Sequence, residues 1–453
     1  MSARRDWFHG AAAFTLGVAA AAFLLSVSAP HRSRASNRPA EKAAAQPGLE
    51  KLKATFKRPA AVPFPASNPF SEAKRALGER LFFDGTLSAN GKMACSTCHD
   101  PARGFADARV KSEGVTGRSL ARHTPALWNL AWAGPVFWDG RARSLEEQVA
   151  SPIQSPDEMD LPIETLLARL REDKDYPQAF AAAFPEDPRI TRESVAKAIA
   201  TYERTVVSPV TRFDRWIAGD AKAFSAQEVE GFKVFTGAGG CSNCHSGFAL
   251  TDQAFHDIGL PDDDRGRGAV LRLPAAEHAF KTPSLREIGR TAPYMHDGSL
   301  PTLAAVVRHY ETNVVSRPTL SADLPRKLTL SDKARRALLA FLETLTGEGE
   351  EKPAAIVAET AKFDVPVVST TTVTQDDKAF NPRHVRLKRG ERLWVVNNDT
   401  RTHNVRVFDD AFDFDAGAQE PGETVEVAFP ATGAFLVFCG IHPKMELHVE
   451  VVP

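Results

Sequence analysis

Cysteine is scarce in this sequence, and every cysteine lies in a short motif. The 453 residues include five cysteines: two in Cys-Ser-Thr-Cys-His at 95–99, two in Cys-Ser-Asn-Cys-His at 241–245, and one in Cys-Gly-Ile-His-Pro-Lys-Met at 439–445. An odd number of cysteines in an exported chain would ordinarily suggest disulfides and a free thiol. Because each cysteine has another use, we predict no disulfide bonds.

The sequence also lacks an excess of charge of either sign. Its 56 basic and 57 acidic residues leave a formal net charge of -1. Such a balance produces no overall field that would attract nucleic acid or an anionic membrane, so no nucleic-acid partner is predicted. The chain is too long for one hydrophobic core, and two or three domains are expected.

The N-terminal segment has the layout of an export signal. Arg4 and Arg5 precede a mostly apolar run at 11–27, which is followed by small residues. We interpret residues 1–29 as a signal peptide, with retention as an inner-membrane anchor as the alternative. Either outcome predicts a periplasmic protein.

Composition divides the remaining chain into segments. Residues 30–66 are rich in Ala, Pro, Lys and Arg and are predicted to be a flexible linker, with order beginning near Asn68. Apolar residues at helical spacing then predict helices at 71–84 and 225–235, each leading into a Cys-x-x-Cys-His motif. Ser225 and Glu228 form a capping-box pattern.

The C-terminal part has a different pattern. A second linker is predicted at 349–366. Beyond it, short β-branched runs separated by turn residues predict strands at 393–396, 405–408, 424–429 and 435–438. We therefore expect a small β-sandwich over residues 367–453.

The two helical halves repeat one another. Thr124, Pro125 and Leu127 match Thr282, Pro283 and Leu285 at a constant offset, and further matches follow without a gap. These are Asp139, Gly140 and Leu145 with Asp297, Gly298 and Leu303. Such agreement indicates a duplicated module, with chance similarity of turn residues as the alternative.

The Cys-x-x-Cys-His motifs predict two covalently attached c-type haems. In this motif the thiols form thioethers with the porphyrin and the histidine ligates the iron. Cys95, Cys98, Cys241 and Cys244 would attach the haems, and His99 and His245 would be the proximal ligands. A thiol redox motif or a zinc site is the alternative.

The sixth iron position distinguishes the halves. Met295 lies well downstream of the second motif, where a c-type cytochrome supplies its axial methionine, and a thioether raises the iron potential. Core packing is the alternative role for this residue. The repeat places Phe137 opposite Met295, and phenylalanine cannot ligate iron. We predict that the N-terminal haem is open to an oxidant.

A second kind of metal site is predicted near the C-terminus. His403, Cys439, His442 and Met445 have the order and spacing of a blue-copper site, in which a thiolate and two imidazoles are joined by a weak thioether. The segment resembles cupredoxins of the amicyanin and plastocyanin type, which implies one type 1 copper and a supporting role for Asn404. A sandwich with a buried structural cysteine is the alternative.

Residues 67–348 resemble the bacterial di-haem cytochrome c peroxidases and, more distantly, the di-haem enzyme that matures tryptophan tryptophylquinone. The resemblance rests on the haem motifs and on four further segments: Phe137-Trp138-Asp139-Gly140-Arg141, Leu145-Glu146-Glu147-Gln148, Pro156-Asp157-Glu158-Met159 and Tyr294-Met295-His296-Asp297-Gly298. It implies a peroxidatic cytochrome c domain at 67–215 and an electron-transfer cytochrome c domain at 216–348. The expected fold is two all-α domains followed by an all-β cupredoxin sandwich.

The same resemblance assigns roles to three residues. Trp138 would relay electrons between the haems, and Gln148 and Glu158 would be the distal amide and carboxylate. A carboxylate beside an open iron can move the proton that O–O cleavage requires, and an amide can orient peroxide. Solvent-facing positions are the alternatives for Gln148 and Glu158.

One departure from the family concerns the resting state. Many members place an iron-blocking histidine in the loop after the first haem motif, but residues 113–117 contain none. His123 stands where the family commonly has the calcium-binding asparagine, so the calcium that the resemblance implies is an open expectation. We predict a peroxidatic haem that is five-coordinate without reductive activation.

Together these features predict an oxidoreductase that reduces hydrogen peroxide to water with electrons relayed through the copper domain. A small redox protein or a quinol-linked donor would supply them. The alternatives are a di-haem oxidase that modifies a protein residue or an organic molecule, and a non-catalytic electron carrier. The oligomeric state is open, a homodimer included.

Overall fold

The computed structural model describes residues 47–325, 327–349, 356–361, 363–409 and 412–453. The predicted signal segment at 1–29 and the first part of the predicted linker lie outside this range. Among the described residues, no helix has the length and apolar character needed to cross a bilayer.

Helices dominate residues 47–348 and strands the C-terminal part. The helices are α1 Pro47–Ala54, α2 Glu72–Phe82, α3 Cys95–Cys98, α4 Leu145–Gln148, α5 Ala150–Gln154, α6 Ile163–Glu172, α7 Tyr176–Ala183, α8 Arg192–Arg204, α9 Arg212–Ile217, α10 Ala226–Thr236, α11 Arg267–Leu271, α12 Leu303–Arg308 and α13 Asp332–Glu343. The strands are β1 Val62–Phe64, β2 Phe255–His256, β3 Phe280–Lys281, β4 Ala358–Thr360, β5 Val368–Ser369, β6 Thr372–Asp376, β7 Ala379–Asn381, β8 His384–Lys388, β9 Arg392–Asn397, β10 Arg406–Asp409, β11 Phe412–Asp415, β12 Thr424–Ala428, β13 Gly433–Phe438 and β14 Glu446–Val452. The predicted helices at 71–84 and 225–235 are therefore confirmed as α2 and α10, and the four predicted strands as β9, β10, β12 and β13.

Each helical half is built on one closely crossed helix pair. A Cβ added to Gly78 of α2 would lie 1.9 Å from the Ala198 carbonyl oxygen of α8, and one added to Gly231 of α10 would lie 2.0 Å from that of Ala337 in α13. Only glycine permits such an approach of two backbones. The contacts make Gly78 equivalent to Gly231, and Ala198 equivalent to Ala337.

The aromatic packing beside these glycines is duplicated as well. One turn beyond each glycine, Phe82 packs against Tyr202 and Phe235 packs against Phe341. The ring centroids lie 5.1 and 5.0 Å apart, and both interplanar angles are 53°. The repeat detected in the sequence is thus confirmed in the packing of the core.

The predicted linker of residues 30–66 is wrong for its described part. Residues 47–66 contain α1 and β1, and Phe56 is buried among Phe213 and Phe232 of the C-terminal helical half. The second predicted linker, at 349–366, contains β4, which pairs in parallel with β1. Because both segments are dominated by Ala, Lys and Pro, their few anchoring aromatic and β-branched residues gave no periodic signal.

The C-terminal part is a two-sheet sandwich, as predicted. One sheet has the strand order β11-β10-β13-β14-β8-β5 and the other β12-β9-β6-β7. Strands β13 and β14 are antiparallel, whereas β8 and β14 run parallel. Alternate side chains of both sheets form the core, which is the expected burial pattern for half-exposed strands.

This core is not closed by the sandwich alone. Leu271 of α11, together with Leu273 and Ala276 just after it, belongs to the same buried apolar cluster as the sandwich residues. The β-sandwich and the C-terminal helical half therefore share part of one core.

Candidate redox sites

One cavity of about 830 Å³ contains both Cys-x-x-Cys-His motifs. Its wall includes the motif histidines His99 and His245, as well as Phe137, Trp138 and Met295. We call this space the haem cavity. Its position shows that the two predicted haem sites are neighbours with protein side chains between them.

The motif histidines are oriented as iron ligands require. His99 Nδ1 lies 3.1 Å from the Phe105 carbonyl oxygen, and His245 Nδ1 lies 3.0 Å from that of Leu250. Burial lowers the pKa of both imidazoles, which favours the neutral form. With Nδ1 donating to a carbonyl, the Nε2 lone pair is available to a metal. This donor set fits two covalently bound haems.

The turns at 136–142 and 294–300, predicted to face the sixth iron position and called the sixth-ligand turns, have the same form in both halves. Phe137 and Met295 have positive φ angles of 69° and 75°, which are uncommon for residues other than glycine. Each lies in a turn closed by an antiparallel bridge, Val136 with Ala142 and Tyr294 with Leu300. Both side chains reach the haem cavity. The turn thus presents sulfur in the C-terminal half and a phenyl ring, packed under the Arg141 guanidinium, in the N-terminal half.

The predicted distal residues Gln148 and Glu158 lie on the wall of the haem cavity with the first motif. Both are half-buried rather than solvent-facing. Burial raises the pKa of Glu158, with the nearby Arg141 charge acting in the opposite direction. A carboxyl group with a raised pKa holds its proton more readily than an exposed glutamate does.

Residues 113–117, which we call the distal loop, pack against the backbone of Asp157 and Glu158. Val115 N donates to the Glu158 carbonyl oxygen over 2.8 Å, and a Cβ on Gly114 would lie 1.9 Å from the Asp157 carbonyl oxygen. Glu113 and Gly114 line the cavity. The loop therefore approaches the distal side without supplying a histidine. His123 instead points its Nδ1 at the Arg109 carbonyl oxygen, 2.8 Å away.

Trp138 lies in the wall between the two halves. Its Nε1 donates to the His123 carbonyl oxygen over 2.8 Å, and its own carbonyl accepts from Lys281 N over 2.8 Å. The His296 ring lies 6.4 Å from its ring. Contacts to both halves therefore fix the indole between them.

Two buried titratable residues of the cavity were missed in the sequence. Burial raises the pKa of Glu203 in α8 to about 8, and lowers that of Lys281 to about 7. Glu203 Oε2 has no hydrogen-bond partner in the described part of the chain. The helix repeat places Leu342 opposite Glu203, and this substitution of charge for an apolar residue was the signal that could have identified it.

The copper residues predicted from the sequence converge. His403 Nδ1 and His442 Nδ1 lie 3.1 Å apart, and Cys439 Sγ lies 3.8 and 3.7 Å from them. Met445 is buried in the same core, and its backbone pairs with those of Cys439 and His442. Burial lowers the pKa of both imidazoles. Neutral nitrogens facing a thiol in an apolar shell fit type 1 copper.

Neighbouring side chains orient this cluster. Asp399 Oδ2 lies 3.1 Å from His403 Nε2, which leaves Nδ1 of that imidazole for the metal. Asn404, expected to hold the copper loop, donates through its side-chain amide to Asp415 and to the Gly417 carbonyl oxygen, and its backbone N–H donates to the Cys439 sulfur. His384 and His448 lie in strands, away from the cluster, with Glu450 and Phe363 as partners.

Comparison with known proteins agrees with both sites. The model of the di-haem cytochrome c peroxidase family matches residues 72–222, and that of the plastocyanin/azurin family of copper-binding proteins matches residues 367–452. The methylamine utilization protein MauG of Methylorubrum extorquens is 45% identical over 316 residues, which are 69% of this chain and 88% of that protein.

The chain belongs to the di-haem cytochrome c peroxidase family. The cytochrome c551 peroxidase of Pseudomonas aeruginosa is 35% identical over 290 residues, or 62% of this chain and 80% of that one. A crystal structure of a MauG-like protein associated with microbial copper homeostasis superposes with a TM-score of 0.59 at 34% identity, covering 65% of this chain and 95% of the other. This family member is an oxidoreductase that carries two haems and, in its cupredoxin domain, type 1 copper.

Proposed function

We propose that this protein reduces hydrogen peroxide at its N-terminal haem, with electrons delivered from the cupredoxin through the C-terminal haem. The observation that carries the proposal is the asymmetry of the duplicated turn. The same backbone conformation directs Met295 into one half of the haem cavity and Phe137 into the other. Only the first of these side chains can occupy an iron coordination site.

The haem attached to Cys95 and Cys98 would supply an iron that binds peroxide and takes part in its two-electron reduction. The residues around it bind, orient and move protons. Gln148 orients the bound peroxide through its amide. Glu158 would take a proton from one peroxide oxygen and return it to the other, which leaves as water. The raised pKa of Glu158 suits a group that must both accept and release a proton.

Electrons reach this site past Trp138. Two electrons and two protons convert one peroxide into two waters, so a donor of single electrons must act twice. Met295 and His245 would hold the second haem as a store for one of them. The copper residues His403, Cys439, His442 and Met445 would hold another. The external donor is a small redox protein or a quinol-linked protein in the periplasm.

The experiment that tests this proposal is electron paramagnetic resonance of the fully oxidised holoprotein. We expect one high-spin ferric signal, from the N-terminal haem, and one low-spin signal. Adding cyanide should convert only the high-spin signal. Two low-spin signals before addition would contradict an open position and favour a pure electron carrier.

A second candidate function is oxidation of a partner protein residue or a small organic molecule. The 45% identity to a MauG protein favours it. Tyr294, the residue beside Met295, donates its hydroxyl to the Ile288 carbonyl oxygen over 3.1 Å and packs into the C-terminal core, so Met295 alone stands opposite Phe137. Retention of methionine favours the peroxidase. Peroxide consumption that requires a reduced one-electron donor would support the peroxidase. Peroxide consumption without such a donor would support the oxidase.

A further inference from the structure

The copper-binding loop, residues 439–445, faces into the protein. Phe255 N donates to the Ile441 carbonyl oxygen over 3.2 Å, and Arg267 Nε donates to the Gly440 carbonyl oxygen over 2.9 Å. Lys444 Nζ donates to the Thr251 carbonyl oxygen over 3.2 Å. The loop is therefore joined to the haem-bearing half by its backbone as well as its side chains.

Ion pairs fix the same contact. Lys378 and Arg401 of the sandwich both reach Asp323 of the helical half, at 2.6 and 2.5 Å. The Asp323 carbonyl oxygen accepts from Asn243, inside the second haem motif, over 2.9 Å. The Asp323 side chain is 6% exposed, so this network is little weakened by solvent. Together with the shared apolar core, it makes the docking permanent rather than transient.

His256 occupies the space between the copper residues and the second haem motif. Its ring centroid lies 6.4 Å from that of His442, and its ligand-type nitrogen lies within 4.8 Å of Cys244 Sγ. It is 5% exposed. Asp252 Oδ2 and Ser321 Oγ hold its two nitrogens at 2.8 and 2.9 Å, so the ring cannot rotate freely.

We propose that His256 is the bridging residue through which an electron passes between the copper ligand His442 and the haem carried by Cys244. The transfer oxidises Cu(I) to Cu(II) and reduces ferric haem iron to ferrous iron. It forms no bond and moves no proton. Tunnelling rates fall steeply with separation, and one immobilised ring between the two partners shortens the gaps that the electron must cross.

Arg267 offers a competing route. It joins the Gly440 carbonyl, next to Cys439, to the Asp139 and Gly140 carbonyls, which follow Trp138. That path crosses the guanidinium group, with a hydrogen bond at each end, and it leads to the residues beside Trp138. The His256 path instead leads from a copper residue to Cys244, which carries the haem expected to store electrons.

The inference rests on the proposed copper relay, and the test separates the two. The oxidised holoprotein is given a pulse of a radiolytic one-electron reductant, and redistribution of the electron between the blue copper band and the haem Soret band is followed. His256→Gln keeps polar contacts to Asp252 and Ser321 but removes the ring. We expect it to slow redistribution by about tenfold, because the longer gap weakens the electronic coupling.

His309→Gln is the matched control, because His309 is equally buried in the same half and hydrogen-bonds the Ile258 carbonyl oxygen. It should redistribute at the parental rate. Redox titration and the copper paramagnetic spectrum of each variant show whether the potentials and the copper site are preserved, and His256→Phe, which retains a ring, should recover most of the rate.

Three results would overturn the assignment. A parental rate in His256→Gln with unchanged potentials would do so, as would equal slowing in His309→Gln. Slowing confined to Arg267→Lys would place the route through Arg267. If no electron moves between copper and haem in the parent protein, the proposed copper relay itself is wrong. If the electron moves in the parent and moves more slowly in His256→Gln, both the relay and the role of His256 are supported.

Discussion

The two helical halves of this protein differ far more in chemistry than in structure. Their helix crossings, buried aromatic pairs and sixth-ligand turns coincide within small margins. Yet one turn carries Phe137 where the other carries Met295, and one helix carries Glu203 where the other carries Leu342. In the function that we propose, very few side-chain differences make one copy of the scaffold store electrons and the other reduce peroxide.

The largest expected effect comes from removing that asymmetry. Phe137→Met places a thioether on a backbone conformation that already holds methionine in the other half, so it should close the iron position that we propose to be open. We expect loss of the high-spin ferric signal and of nearly all peroxide reduction. Phe137→Leu, which cannot ligate, is the control and should retain both. A Phe137→Met protein with parental activity would mean that the two turns are not equivalent.

The next effect concerns the distal carboxylate. Glu158→Gln keeps the shape but cannot move the proton, so steady-state peroxide reduction should fall by about 10²- to 10⁴-fold at unchanged haem content. Asp157→Asn is the control, because Asp157 is the adjacent carboxylate and pairs with Arg118 at the surface. Turnover in the parent should also fall as the pH drops through the raised pKa of Glu158, since the protonated group accepts no proton. Equal losses in both variants would argue against a specific role.

A smaller effect, on stability, is expected from the glycines at the two helix crossings, and it should be similar in both halves. Gly78→Ala and Gly231→Ala each force a Cβ against a backbone carbonyl, at 1.9 and 2.0 Å. We expect each to lower the free energy of unfolding by about 1–3 kcal/mol. Chemical denaturation of the holoprotein measures this, and Gly91→Ala, at an open turn of positive φ, separates crowding from strain. Destabilisation by only one of the two variants would show that the two helix crossings are not equivalent.

The smallest effect tests Glu203. Its folded pKa of about 8 exceeds the ordinary value of 4.5, so the folded state retains a proton that the unfolded state loses between those values. Stability should therefore decline as the pH rises through this window, by at most about 1.4 kcal/mol per pH unit. Glu203→Gln should reduce the slope measured by denaturation at pH 6 and 7. Glu193→Gln, at the exposed start of α8, should leave it unchanged.

The sequence predicted the parts of this protein in which chemistry demands a fixed spacing. Cys-x-x-Cys-His, the copper residues and the repeat around Met295 are short patterns, and the structure places each set together. Those residue roles, and the domain limits between the two cytochromes, stay predictions until the variants are measured. Lys281 and His256 could not be found in this way, because their roles depend on which distant segments bury them. Glu203 differs, because the apolar Leu342 at the equivalent position of the other half could have indicated it.

The interpretation of residues 47–66 as a tether failed for a related reason. Two buried aromatic residues, Phe56 and Phe64, anchor that segment, and Phe56 packs into a core assembled from α9, α10 and α13. Such widely spaced anchoring residues stabilise the docked segment but leave no periodicity to detect. Composition describes the average residue of a segment, whereas its packing onto the core depends on a few aromatic and aliphatic residues.

Leu271, Leu273 and Ala276 close the apolar core of the cupredoxin although they precede it by about a hundred positions in the chain. Excising residues 367–453 would therefore expose leucines on the remaining protein and leave a gap in the excised one. We expect the copper domain and the half that it covers to melt cooperatively, as one folding unit. A chimera that exchanges this domain would need to carry the α11 segment of its original host.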